Sequence, residues 1–219
     1  MESIPHVAMK PCAPRRAVLA ALCLSSAAQL AAGEFPTANQ VRAAFSAIDA
    51  NRNGILGQAE WDRASFALFR AADRNKDDFI DREELAASTV APDTFRRADL
   101  NSDNRLSITE FAQQRRAIFE ICDIDRTDDL SFVEFELLVV MERAGWVDAN
   151  QNGRIEISEL SASLIRAFGA LDLDRDGVLT SAEADYMRPE AFKRFDTNRD
   201  GKLSREEYVE GYRVEMIGG

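Results

Sequence analysis

Histidine and cysteine are almost missing from this chain of 219 residues, with 1 and 3 respectively. His6, Cys12 and Cys23 all fall before Glu34, so the rest carries no histidine and one cysteine, Cys122. Histidine-dependent triads and His-based metal centres are therefore excluded there, and zinc lacks its usual ligands. An internal disulfide framework is excluded as well. Cys122 lies on an apolar face and reads as a core thiol rather than a nucleophile. No glycine-rich phosphate cradle is present. Positive charge is in deficit: the formal net charge is −11, a surface that repels nucleic acid and anionic membrane and attracts cations. Long apolar runs are also absent. Ala17–Leu24 falls well short of the roughly 20 residues needed to span a bilayer. What remains, 46% hydrophobic and 30% charged, suits a soluble, folded chain.

The stretch from Met1 to Gly33 reads as a separate segment. Arg15 and Arg16 precede the apolar run, and small residues follow through Gly33. This is the pattern of a secretory signal peptide, with cleavage expected after Ala28 or after Gly33. A membrane anchor is the competing reading, disfavoured by the short run and by Ser25, Ser26 and Gln29. Arg15-Arg16-Ala17-Val18-Leu19 also resembles a twin-arginine export signal, so the export route stays open. Removing Lys10, Arg15, Arg16 and Glu2 from 27 basic and 38 acidic residues leaves 24 and 37, a net charge of −13. The mature chain, 34–219, is then expected in a periplasm, an extracellular space or, in a eukaryote, a secretory lumen.

That mature chain is a repeat. An aspartate, polar oxygen-bearing residues two and four places later and a glutamate eleven places later recur seven times. The segments span 49–60, 73–84, 99–110, 123–134, 148–159, 172–183 and 196–207, with nearly even spacing between their starts. They leave no room for a separate catalytic domain.

Each segment resembles the twelve-residue calcium loop of the EF-hand family. Calcium takes about six to eight hard oxygens, and that loop supplies them from positions 1, 3, 5 and 12 and from the position-7 backbone carbonyl. The implied ligands of loop one are Asp49, Asn51, Asn53, Ile55 (carbonyl) and Glu60. Loop two has Asp73, Asn75, Asp77, Phe79 (carbonyl) and Glu84; loop three has Asp99, Asn101, Asp103, Arg105 (carbonyl) and Glu110. Loop four has Asp123, Asp125, Thr127, Asp129 (carbonyl) and Glu134; loop five has Asp148, Asn150, Asn152, Arg154 (carbonyl) and Glu159. Loop six has Asp172, Asp174, Asp176, Val178 (carbonyl) and Glu183; loop seven has Asp196, Asn198, Asp200, Lys202 (carbonyl) and Glu207. Position 6, a sharp turn, is Gly54, Gly153, Gly177 or Gly201 in four loops and Asp78, Asn104 or Asp128 in three. Asn and Asp tolerate the left-handed backbone best after glycine, so those three loops should still close. Thr127 is a short, neutral ligand and makes loop four the weakest match.

Position 8 is always Leu or Ile, which in the family makes a short β-bridge between paired loops. Apolar residues such as Trp61, Phe111 and Tyr208 follow the loops; Phe45, Phe69, Phe95, Phe119, Phe168 and Phe192 precede them by four places. Trp61, Ser65, Leu68, Phe69 and Ala72 share one helical face. Ser107, Ser131 and Ser204, each three places before a loop's glutamate, read as helix starts, where capping would compete with metal for the carboxylate.

The expected fold is therefore all-α: a tandem EF-hand array of seven calcium loops joined by short shared helices, with short β-bridges between paired loops. The even spacing leaves about twelve residues per connector, enough for one helix that leaves one loop and enters the next. The short step resembles exported bacterial multi-EF-hand proteins, and Phe95–Asp103 is locally similar to the reticulocalbin and calumenin family.

Calcium is the expected cofactor and no catalytic residue is expected. The leading role is a calcium-responsive binding protein with an unidentified protein partner; a buffer or calcium-stabilised structural protein is the alternative, and a dockerin-like module fits less well. The scarcity of methionine, Met141, Met187 and Met216 in the mature chain, tilts against a promiscuous sensor groove. Seven loops predict about five to seven calcium ions per chain. Native mass spectrometry of the mature protein checks this, and two ions or fewer would overturn the intact array.

Overall fold

The computed structural model describes residues 35–87, 95, 98–145, 147, 149–150 and 155–217. The proposed signal peptide and the centre of loop five, including Asp148, Asn152, Gly153 and Arg154, lie outside them. The described helices are α1 (Ala38–Ile48), α2 (Gln58–Ala72), α3 (Arg82–Ala86), α4 (Ile108–Cys122), α5 (Phe132–Ala144), α6 (Ile157–Leu171), α7 (Pro189–Phe195) and α8 (Arg205–Ile217). Six short strands accompany them: β1 (Ile55–Gly57), β2 (Phe79–Ile80), β3 (Leu106–Ser107), β4 (Asp129–Ser131), β5 (Val178–Thr180) and β6 (Lys202–Ser204). None of the described helices is long and apolar enough to cross a membrane.

The strands pair antiparallel as β1–β4, β2–β3 and β5–β6, with Leu56 opposite Leu130, Ile80 opposite Leu106 and Leu179 opposite Leu203. Loop one thus pairs with loop four, loop two with loop three, and loop six with loop seven. The nesting of the first two pairs follows from helix length. α2 joins loops one and two as one helix of 15 residues, about 22 Å long at 1.5 Å per residue. Its two loops sit at opposite ends and cannot bridge each other. α4, also of 15 residues, joins loops three and four in the same way and packs antiparallel against α2. Trp61 at the start of α2 meets Phe119 at the end of α4 with ring centroids 5.9 Å apart, and Phe69 meets Phe111 at 5.6 Å.

The shared helix holds for α2, α4 and α6, but not for every connector. Between loops two and three, and between loops six and seven, one straight helix would separate loops that are hydrogen-bonded through β2–β3 and β5–β6. α3 ends at Ala86. After loop six the chain makes turns through Tyr186 and then starts α7 at Pro189. Pro92 and Pro189 are the only prolines beyond Pro36, and they fall in these two connectors. Proline lacks the N–H a helix interior needs and disfavours helix in the residue before it.

Two cores result. The first gathers Phe45, Leu56, Trp61, Phe69, Ile80, Leu106, Phe111, Phe119 and Leu130; the second gathers Leu160, Phe168, Leu179, Tyr186, Phe195, Leu203, Tyr208 and Tyr212. The described loop-preceding phenylalanines and the position-8 residues are all buried, as the repeat requires. α5 belongs to both cores: Phe135, Leu138 and Val139 pack in the first, Leu137, Val140 and Met141 in the second. Every residue from Glu134 to Met141 is buried, the mark of a helix enclosed on all sides. Within it, the Arg188 backbone N–H donates to Glu136 Oε1 at 3.0 Å. Burial pushes the Glu136 carboxyl up to about 7 against the pull of Arg188. Nearby, the Tyr186 hydroxyl lies 2.9 Å from that of Tyr208 and 3.0 Å from that of Tyr212. The start of α1 is tied to the second core too, with Ala38 N–H donating to Asp185 O at 2.6 Å.

Gly211 in α8 lets the Phe195 ring approach the helix backbone, and a Cβ there would fall inside van der Waals contact with that ring. Gly211→Ala should therefore lower the melting temperature by several degrees, because overpacking of about 1–3 kcal/mol exceeds the helix-propensity gain of about 1 kcal/mol. Thermal unfolding followed by circular dichroism checks this; unchanged or raised stability would overturn it.

Candidate metal centres

Each loop is organised by its last residue. The position-12 glutamate uses one oxygen at the helix start and the other inside the loop. Glu60 Oε2 accepts from Gly57 N–H at 3.3 Å, while Oε1 accepts from Ala50 and Asn51 N–H at 2.8 and 3.1 Å. Glu84, Glu110, Glu134, Glu159 and Glu207 repeat this with the amides of loop positions 2, 3 and 9. Glu183 accepts from Leu173 and Thr180 N–H. Ser107, Ser131 and Ser204 return the bond by accepting from the glutamate's own N–H at 3.2–3.3 Å. Capping and loop closure thus use different oxygens of one carboxylate.

The position-1 aspartates hold the other end. Oδ1 accepts from position 5 and Oδ2 from position 6 in loops one, two, three, four and seven, through Asp49, Asp73, Asp99, Asp123 and Asp196. Position 3 accepts from position 5 through Asn51, Asn75, Asn101, Asp125, Asp174 and Asn198. Position 5 accepts from position 7 through Asn53, Asp77, Asp103, Asp176 and Asp200. These bonds fix the side chains of positions 1, 3 and 5 on the loop backbone through one or two of their oxygen lone pairs and leave the others free for a cation.

Position 6 has a left-handed backbone in all six loops described there, including Asp78, Asn104 and Asp128 at φ 62° to 66°. Position 4 does too, with Arg52, Lys76, Ser102, Arg126, Arg175 and Arg199 at φ 59° to 63°. The residue types at position 4 carry no signal for that conformation; the bonds from positions 1 and 3 impose it.

Among the described residues, carboxylate oxygens converge within 4.8 Å in three loops: Asp73, Asp77 and Glu84; Asp123, Asp125 and Glu134; and Asp172, Asp174 and Asp176. Loop six has a further feature. Asp172 Oδ1 is buried and has no hydrogen-bond partner, which is costly unless something else satisfies it. A calcium ion among Asp172, Asp174 and Asp176 would do so, and the all-oxygen donor set suits it. In loop four, the Thr127 hydroxyl lies 2.8 Å from Asp125 Oδ1 and 3.2 Å from Asp129 Oδ1, so its single proton is given to a neighbouring carboxylate and position 5 brings no charge of its own. In loop five, Glu159 Oε1 accepts from the Ala149 and Asn150 amides as in the other loops, and the Asn150 side chain donates to Glu156 Oε2 at 2.8 Å.

The loops differ electrostatically. Burial pushes the Asp123 and Glu134 carboxyls up, with neighbouring Asp125 adding to it. Burial also works against the charged form of Glu207, but the donors from Ser204, Asn198 and Thr197 outweigh it and hold that carboxyl at about 2. The Val178 amide and, across the β5–β6 bridge, Lys202 hold Asp176 below the usual carboxylate range. Lys202 Nζ lies 3.3 Å from Asp176 Oδ2, and Arg105 Nη2 lies 2.6 Å from Asp77 Oδ2. A cation at position 7 of one loop thus rests on the position-5 aspartate of its pair.

Helices entering and leaving acidic, oxygen-lined loops that bridge in pairs define a helical metal-binding protein. Residues 147–213 match the EF-hand domain pair, and residues 67–87 and 93–113 match the EF hand. The chain carries EF-hand domains, and it binds calcium through them. It is also similar to calcium-dependent protein kinase 20 of Oryza sativa subsp. japonica, 28% identical over 152 residues that cover 58% of this chain and 26% of that protein. The chain thus spans about a quarter of that relative's length. Loops one and four lie outside the matched segments, yet they are bridged to each other and built on the same bonds.

Ligand charge raises calcium affinity. Loop six has carboxylates at positions 1, 3, 5 and 12, whereas loop one has only Asp49 and Glu60. Glu183→Gln should remove a tight site and Glu60→Gln a weak one. Isothermal calorimetry on the two variants checks this; the reverse order would show that loop rigidity outweighs charge.

Proposed function

We propose that the chain is an exported, non-catalytic protein of seven EF-hand loops whose calcium ions are part of its fold. The observation that carries this reading is the double bonding of the position-12 glutamates. The carboxylate that would close the ion's shell is also the carboxylate that starts the next helix, so ion and helix packing are joined at every loop. Like-charged oxygens gathered without a cation repel one another, and binding adds stability by mass action, about 2.7 kcal/mol per independent site at a hundredfold excess over its dissociation constant. Export is supported by Arg15, Arg16 and the apolar run after them, and an exported protein meets abundant calcium. A non-catalytic role is supported by the lack of histidine after Gly33 and by the place that each carboxylate cluster among the described residues has within a loop.

The second reading is a calcium-responsive binding protein that presents a surface to a partner. A hollow of about 540 Å³ between α2 and α4, lined by Phe66, Phe69, Ile108 and Arg115, favours it, with Phe66 half exposed. Against it, Met141, Met187 and Met216 are all buried in the second core and leave no methionine-rich groove among the described residues.

Chelator should lower the melting temperature of the mature protein by more than about ten degrees. It should also change the tryptophan emission, because Trp61 is fully buried beside Phe119. A metal-free sample that melts at the same temperature would overturn the structural reading. A rise in hydrophobic-dye binding on adding calcium, without a change in melting, would favour the responsive one.

A further inference from the structure

Loop four is built differently from the other loops at its second residue. Position 2 is exposed in the other six: Ala50, Arg74, Leu100, Ala149, Leu173 and Thr197. In loop four it is Ile124, buried and packed in the second core among residues of the C-terminal half. Ile121 and Val133, on either side of the loop, pack against that same core. The Ile124 amide donates to Glu134 Oε1 at 2.8 Å, so one residue both joins the second core and holds the loop's closing carboxylate.

The helix that leaves loop four makes a second contact. Glu136, two places after Glu134, accepts from the Arg188 backbone N–H at 3.0 Å, and the Arg188 Nε lies 3.7 Å from Glu136 Oε2. Arg188 sits in the connector between loops six and seven. Its Nη2 donates to Glu215 Oε2 at 3.0 Å on α8, the helix that leaves loop seven, and its guanidinium lies 5.2 Å from the centroid of the Phe132 ring on α5. Arg194 of α7 pairs with Glu215 as well. Loop four, the loop six–seven connector and the exit helix of loop seven therefore meet at one junction, in which Glu136 is buried and Arg188 and Glu215 are partly so.

We propose that loop four is a coupling site, its calcium occupancy linked through Ile124 and Arg188 to calcium binding by loops six and seven. The physical reason is rigidity. Glu134 and Glu136 lie on one turn of a helix enclosed by both cores, so the carboxylate of loop four cannot shift without shifting the partner of Arg188. In the docked arrangement the oxygens of Asp123, Asp125 and Glu134 converge, and so do those of Asp172, Asp174 and Asp176. An ion that selects one set selects the arrangement that contains the other, which makes the coupling positive. Linkage also requires it to be reciprocal. The ligand set of loop four, weakened by Thr127, is then suited to a site that fills in step with others.

The inference rests on calcium binding by the individual loops, and one experiment separates the two. The mature full-length protein is titrated with calcium while amide resonances are followed by NMR. The Gly177 and Gly201 amides, which donate to Asp172 and Asp196, report loops six and seven, and the Asp128 amide, which donates to Asp123, reports loop four. Glu134→Gln should raise the calcium midpoints at Gly177 and Gly201 by about fivefold, the lower end of ordinary coupling between sites. Glu183→Gln combined with Glu207→Gln should raise the Asp128 midpoint by a similar factor. In an Ile124→Ala, Arg188→Gln background, with helical content checked by circular dichroism, the effect of Glu134→Gln on Gly177 and Gly201 should vanish. Unchanged midpoints at Gly177 and Gly201 in Glu134→Gln would overturn the coupling while leaving the loops as calcium sites. A shift in one direction only would mark a damaged fold rather than linkage and would overturn it too. No response of any loop to calcium in the unaltered protein would remove the calcium reading and the coupling together.

Discussion

One carboxylate per repeat holds this structure together. The position-12 glutamate stands at the first turn of a helix, where negative charge is favoured by the helix dipole and by the free amides. Its Oε2 satisfies the amide of the helix-capping residue and its Oε1 draws in the first residues of the loop. A glutamine would keep one acceptor and lose the charge, and an aspartate would not reach across. Because the same side chain serves the cap and the loop, the loop cannot open without disturbing the helix behind it.

Helix length then decides how the repeats assemble. A helix of 15 residues holds its two loops about 22 Å apart, so loops joined by α2 or α4 must find bridge partners elsewhere. Two such helices laid antiparallel bring loop one to loop four and loop two to loop three. This closes the first half into a unit with a loop pair at each end and aromatic contacts between. The second half pairs loops six and seven across a bent connector. α5 runs between the halves, and its buried Glu136 meets Arg188. The halves are therefore two cores with one helix in common, and the loop that begins that helix is the one drawn into its neighbour's core.

The relation between the matched segments and the structure is informative. Loops two, three, five, six and seven lie within segments that match EF-hand families, while loops one and four do not. Loop four carries Thr127 where the other loops have Asp or Asn, and Asp128 where glycine is usual, and both departures have a visible consequence. The threonine hydroxyl donates to the Asp125 carboxylate, and the aspartate takes a left-handed backbone at φ 62°. The bonds of Asp123 and Glu134 nevertheless close the loop, since they depend on positions 1 and 12, which all seven repeats retain.

The sequence by itself determined the loops, the helix starts and the residues that enter the core. Those features are set by interactions close along the chain, such as Asp49 with Gly54 or Glu60 with Ala50, and by the recurrence of Phe45, Phe69 and Phe119 four places before a loop. Only the tertiary structure decided which loops pair, because a bridge such as Leu56 with Leu130 joins residues far apart in the chain and depends on which connectors bend. The repeat step is the same from Asp49 to Asp73, across the straight helix α2, as from Asp172 to Asp196, across the connector that turns back at Pro189. The junction of Ile124, Glu136 and Arg188 was likewise decided by the fold. An isoleucine in a loop and an arginine before a proline carry no mark of each other until α5 is enclosed by both cores.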